Sequence, residues 1–201
     1  MIGFLFLVVV AALVFWLISA YNGLVALRNQ VTNAWKQIDV QLKRRHDLVP
    51  NLIATVRGAM QHERETLEAV MAARSQAMAV ERAGASVAQT AAVEAQLTGA
   101  LGRLLAVVEA YPEIRATANI AQLHEELTST ENRISFARQL YNDTATMYNT
   151  RQEQFPTNLI SGIADCAPAE LWEIEIAAER AVPQVSLAWR PGMAAPAKQQ
   201  G

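Results

Sequence analysis

A single cysteine, Cys166, in 201 residues rules out an internal disulfide and leaves the redox compartment open. Histidine is nearly as scarce. His62-Glu63 opens like a zincin motif, but the second histidine would fall at Thr66. The Glu-x-x-His pairs of a di-iron bundle are missing as well, because Lys43, Ala59 and Ala121 stand three residues before His46, His62 and His124. His124-Glu125-Glu126 then reads as a solvated helix face. Gly99-Ala100-Leu101-Gly102 has neither the P-loop lysine nor a preceding strand, which leaves helix packing as its role. Cys166 has no histidine near it in sequence and reads as a linker residue. No basic stripe with interleaved aromatics crosses the chain, which argues against nucleic acid as a partner. Neither end carries a lipidation signal, and no repeat of solenoid period occurs. The residues therefore imply no metal, no cofactor and no catalytic set, and the chain reads as non-enzymatic.

Charge is absent from Ile2 to Ala20. At about 1.5 Å per residue these nineteen residues span roughly 28 Å, enough to cross a hydrocarbon core. A secretory leader cleaved after Ile18-Ser19-Ala20 is the rival reading, but the basic n-region is missing and the apolar run is longer than a usual leader core. Residues 1–20 are therefore expected to be a retained transmembrane anchor. Residues 21–50 carry five bases against two acids, within a chain of net charge −2. By the positive-inside bias the N-terminus lies outside and residues 21–190 form one helical domain in the cytoplasm. Trp16 and Tyr21 fall where an interfacial aromatic belt would sit.

Beyond the span, Leu24, Leu27, Val31, Ala34, Ile38, Leu42, Val49, Leu52 and Val56 recur at helical steps. The pattern predicts one long helix over about 21–82, kinked near Pro50 but not broken, since proline removes a donor and presses on the His46 carbonyl. Gly84 marks the first loop. Ser86 is an N-cap for a helix over about 86–110, and Tyr111-Pro112-Glu113 turns the chain into a third helix over about 113–155. That helix carries a coiled-coil seam in which Ile120, Leu127, Ile134, Tyr141, Tyr148 and Phe155 form the bulky row, with Leu123, Thr130, Ala137, Thr144 and Arg151 as the smaller one. Pro168 starts a short acidic helix over about 168–181, Gln184–Trp189 lies extended, and residues 191–201 form a disordered tail. The fold class is all-α, an N-terminal span followed by an elongated antiparallel bundle of about four helices.

Two further groups bear on function. Arg28, Lys36, Lys43, Arg44 and Arg45 are candidate lipid or partner contacts. If the first helix bends over at residues 20–23 the basic group reaches lipid headgroups. If it stands straight, Lys43–Arg45 begin about 35 Å from the membrane, and salt bridges to Glu170, Glu173 and Glu175 are the preferred role. Tyr141-Asn142 and Tyr148-Asn149 lie one heptad apart, and asparagines beside a seam either fix register or face solvent.

Arg28-Asn29, Asn33-Ala34-Trp35, the run from Gln37 to Leu52 and His62-Glu63 resemble the signature region of the LemA family. Thr130-Glu131-Asn132-Arg133-Ile134, Ala137-Arg138, Tyr141-Asn142, Tyr148-Asn149 and Phe155-Pro156 are similar to its second block. The resemblance implies a bacterial membrane protein with one N-terminal span and a cytoplasmic antiparallel bundle. It carries no catalytic residues across. A relative in magnetosome-forming bacteria is associated with building internal membranes, so the resemblance also points toward membrane organisation. The expected role is a scaffold at the bacterial cytoplasmic (inner) membrane that meets lipids, further copies of itself or other membrane proteins. Direct membrane shaping through the basic face of the first helix is the alternative, and a metal-dependent regulator or enzyme is a second.

Overall fold

The computed structural model describes residues 1–58, 60, 62–115, 117–163 and 166–173, and every secondary-structure element among them is helical. α1 runs unbroken over Ile2–Val56, so at 1.5 Å per residue it is a rod about 80 Å long. Its first eighteen residues are apolar enough to cross a membrane, and none of them is buried. α3 also passes by length and composition, but Leu97, Leu101, Leu104 and Val108 are spent on the core.

Beyond Val56 the chain turns back. α2 spans Arg64–Arg82, with Met60, wholly buried, plugging the corner. Glu81 near the end of α2 approaches His46 and Arg74 reaches the His46 carbonyl, so α2 runs antiparallel to α1. This corrects the expected single helix over 21–82. Leu52, Val56, Met60, Leu67 and Val70 all face one core, and a periodic stripe reads the same whether a helix continues or folds over on its own apolar face. Pro50 does not end α1. Its missing N–H frees the His46 carbonyl oxygen, and Arg74 Nε donates to that oxygen at 2.7 Å.

The turn into α3 has the residues it requires. Gly84 takes φ +63°, and the bonds Gly84 N–H to Glu81 O and Ala85 N–H to Val80 O close a Schellman motif. Ser86 then caps α3, Val87–Glu109, in a reciprocal box with Gln89. α4 is a single turn, Pro112–Arg115. α5, Ala118–Glu153, starts after a break, so the expected helix over 113–155 is two pieces and loses its last two residues. α6, Asn158–Ile163, follows.

α1, α2, α3 and α5 thus form an up-down-up-down bundle in the half furthest from the span. Its core joins Leu52, Val56, Val70, Leu97, Leu104, Ile120 and Leu127. Each fully buried aliphatic side chain there contributes about 1.5–3 kcal/mol. Nearer the span α1 and α5 run antiparallel, with the start of α3 and then α6 against them: Ile38 clusters with Ala91, Ile134 and Tyr141, and Leu24 with Tyr148 and Ile160. The third layer there is an extended segment, Cys166–Glu173, and not the expected start of a helix at Pro168. Residues 174–181 of that helix, Gln184–Trp189 and the tail at 191–201 lie outside the described residues.

The inward side of α5 follows steps of three and four residues. Ile120, Leu127, Ile134, Tyr141 and Tyr148 are buried. From Tyr141 onward the smaller row moves by one position, to Ala145 and Gln152 in place of Thr144 and Arg151. A straight helix drifts about 20° per heptad against a strict 3.5-residue repeat, which is enough over several turns to change the inward residue. Phe155 departs altogether. It lies past the end of α5 and is 80% exposed.

Candidate functional site

Arg45 follows Leu42 by three residues and precedes Val49 by four, so it occupies the apolar stripe of α1. It is 1% exposed. Of the five basic candidates, Arg28, Lys36, Lys43 and Arg44 face outward, whereas Arg45 is removed from any lipid or partner surface. Its guanidinium reaches three groups: Glu94 through Nη2, and Thr98 Oγ1 at 2.8 Å and Glu131 Oε1 at 2.7 Å through Nη1. The other Glu94 oxygen shares a 2.9 Å hydrogen bond with His46 Nε2, and Glu81 lies 3.7 Å from the His46 Nδ1. One buried cluster therefore ties α1 to α2, α3 and α5.

The energetics follow from burial. An unpaired ion here would cost several kcal/mol, and excellent geometry is what offsets it. Burial pushes the Glu94 carboxyl up, but the hydrogen bond with His46 and the charge of Arg45 outweigh it and hold Glu94 below the usual carboxylate range. Asp39 moves the other way, raised by burial and by the Glu81 charge. Arg44 lies 4.0 Å from Glu126, half in solvent, a contact of little energy. The basic group finds acidic partners on α3 and α5. Glu131, Glu94 and Glu126 pair with it, whereas Glu170 receives the Val87 N–H at the start of α3. Glu175 lies outside the described residues.

The tyrosine-asparagine pairs acquire a definite role. Asn149 accepts from Ala169 N–H and donates to Ala169 O, both at 2.8 Å. Asn142 does the same with Trp172, at 2.8 and 3.0 Å. Tyr141 adds a bond to Glu170 O at 2.7 Å. Two amides one heptad apart on α5 therefore hold an extended segment that has no strand neighbour among the described residues. Trp172 is buried beside Trp35, Arg138 stacks over it at 5.1 Å, and Tyr141 meets Trp35 edge-on.

A cleft of about 770 Å³ lies between α3, α5 and the end of this segment. Alanines of α3 form one wall, and Arg45, Glu94, Thr98, Arg138 and Trp172 bring its polar and aromatic groups. Its polar groups are directed largely at one another. Among the described residues no cluster of histidine, cysteine, aspartate and glutamate has the makings of a metal site.

Of the residues that build the cluster and hold the extended segment, Arg45, His46, Glu131, Asn142 and Asn149 fall within the stretches that resemble a family signature, whereas Glu81, Glu94 and Thr98 do not. The sequence profile of the LemA family matches residues 34–187, well over half of the chain. The chain belongs to the LemA family. Protein LemA of Metamycoplasma hominis is 26% identical over 158 residues, covering 78% of this chain and 70% of that one. Magnetosome protein MamQ 2 of Paramagnetospirillum magneticum is 36% identical over 74 residues, 37% of this chain and 27% of its own length. Magnetosome protein MamQ of Magnetospirillum gryphiswaldense is 25% identical over 169 residues, 73% of this chain and 62% of its own. Against both MamQ relatives the chain spans less than two thirds of their length.

Sequence reasoning finds the basic group and the asparagines but misses Glu94 and the burial of Arg45. The signal is the gap in the stripe between Leu42 and Val49, where a charged residue holds an inward position.

Proposed function

We propose that this LemA-family chain is a non-enzymatic scaffold, anchored in the bacterial cytoplasmic membrane by residues 1–20, whose bundle associates with further copies of itself on the inner side. One observation carries the reading. The outer face of α5 presents Phe136, Leu140 and Met147, exposed by 72%, 45% and 59%. Their spacing of four and seven places them within about 40° around the helix, the stripe that a second helix covers. Anchored chains are concentrated and co-oriented in the plane of the membrane, which favours pairing through such a side face.

Other features support the same reading. The apolar start of α1 is wholly uncovered, as a span would be. α1 continues through residues 20–23 without a break. Lys36, Lys43 and Arg44 therefore stand well away from headgroups and suit a protein partner better than lipid. The charged groups of the buried cluster pair with one another across four elements, an arrangement suited to holding helices in place. Two of the relatives are named as magnetosome proteins, and a place in a larger assembly fits that naming.

Crosslinking of the full-length chain at native expression tests the proposal. Dimers and higher species are expected. A return of monomer alone, with no co-purifying protein, would overturn it.

A further inference from the structure

Two large apolar side chains stand uncovered at the base of the bundle. Phe155, on the turn that carries the chain from α5 into α6, is 80% exposed, and Leu159, in the first turn of α6, is 61% exposed. Their neighbour Ile160 is buried in one cluster with Ala20, Leu24 and Tyr148. Ala20 is the last residue of the apolar run, just before the polar pair Tyr21-Asn22, and closes the proposed anchor. The turn is thereby docked at the level where α1 would leave the hydrocarbon. Because α5 descends toward the span, Phe155, past its final turn, lies on the membrane side of Tyr148.

The turn is also built to sit in a drier place than a surface loop. The N–H groups of Asn158, Leu159, Ile160 and Ser161 donate to carbonyls of Gln154, Pro156 and Thr157 at 2.9–3.2 Å, and Pro156 has no N–H to satisfy. Ser161 Oγ bonds back to the Gln152 and Asn158 carbonyls. Internal pairing of backbone groups lowers the cost of approaching the acyl boundary, and these four N–H groups are paired. Trp16 and Tyr21 of α1, both exposed, offer amphipathic rings at the same boundary.

The geometry points to a second lipid contact: Phe155 and Leu159 enter the interfacial layer of the bilayer beside α1. The inference rests on the anchored reading above and deepens it. A body held by one helix can swing and spin about it, whereas a body held at two points has a fixed stance. The Phe136, Leu140 and Met147 stripe is then turned sideways, parallel to the membrane, toward neighbouring copies.

Depth measurement on the full-length chain in vesicles of phosphatidylethanolamine and phosphatidylglycerol tests this. Single cysteines are placed in a Cys166→Ser background by Phe155→Cys, Leu159→Cys, Phe136→Cys and Phe6→Cys, and each is labelled with an environment-sensitive fluorophore. Labels at 155 and 159 are expected to be quenched several-fold more than the label at 136 by lipids carrying a nitroxide near the headgroup, and to be shielded from aqueous iodide. If 155 and 159 are as open to iodide as 136 while 6 is quenched from the lipid, the second contact is wrong and the anchor stands. If 155 and 159 escape both quenchers, protein covers the turn and a second copy is its occupant, which also overturns the proposal. If 6 itself is open to iodide, the anchored reading falls and takes the second contact with it.

Discussion

Removing Arg45 is the sharpest test of how the four helices are held together. Arg45→Ala leaves the carboxylate of Glu94, 3% exposed, without its cation, while Glu131 is exposed enough to regain water. Breaking a buried pair from one side costs about 3–5 kcal/mol. The lower end applies, because Glu94 keeps its 2.9 Å bond with His46. A loss of about 3 kcal/mol lowers Tm by about 6–12 °C in a chain of this size. The double variant Arg45→Met with Glu94→Leu removes both charges and fills the space, leaving His46 to lose its partner, and is expected to be less destabilised than Arg45→Ala. Acid provides a second reading of the same pair. Glu94 is held below its ordinary value, so the unfolded chain binds its proton more readily than the folded one. The stabilisation is complete above about pH 4.3 and is lost as pH falls through the lowered folded value. Glu94→Gln should lack that part of the acid loss. Chemical and thermal unfolding of the full-length chain in detergent, followed by circular dichroism, measures all four proteins. An Arg45→Ala variant as stable as the parent would refute the account of the cluster.

Other expectations concern single contacts. Arg74→Ala orphans the His46 carbonyl at a cost of about 1–3 kcal/mol, and this cost should shrink in a Pro50→Ala background, where residue 50 can supply the missing donor. Asn142→Ala and Asn149→Ala each remove two bonds to the extended segment, and hydrogen exchange at the Trp172 and Ala169 amides, respectively, should accelerate while the α1–α3 core stays protected. Phe136→Asp with Met147→Asp is expected to reduce crosslinked dimer several-fold without lowering Tm, because both side chains lie outside the bundle. Gly84→Ala forces a side chain into a left-handed turn and should cost about 1–2 kcal/mol in the same unfolding assay.

Periodic, local features are legible in the chain itself. The charge-free start, the stripe of α1, the Ser86 cap and most of the α5 seam are each written within a few residues of one another, and the physics that reads them is equally short-ranged. The resemblance to LemA proteins extends that reading to the antiparallel bundle. The turn at 57–63 is not legible in this way, because both halves of the stripe face the same core and periodicity has no term for direction. Phe155 is misplaced for a related reason. The row continues by arithmetic, whereas α5 ends two residues earlier.

By itself the sequence determined that the chain is helical, which helix faces are apolar and where a span can lie, since these depend on neighbours along the chain. Only the tertiary structure decided the partners. Arg45 meets Glu94 across 49 positions, and Asn142 meets Trp172 across 30. Such pairings are chosen by which helices the packing brings together, and a charged or amide side chain looks the same in sequence whether water or a buried partner satisfies it.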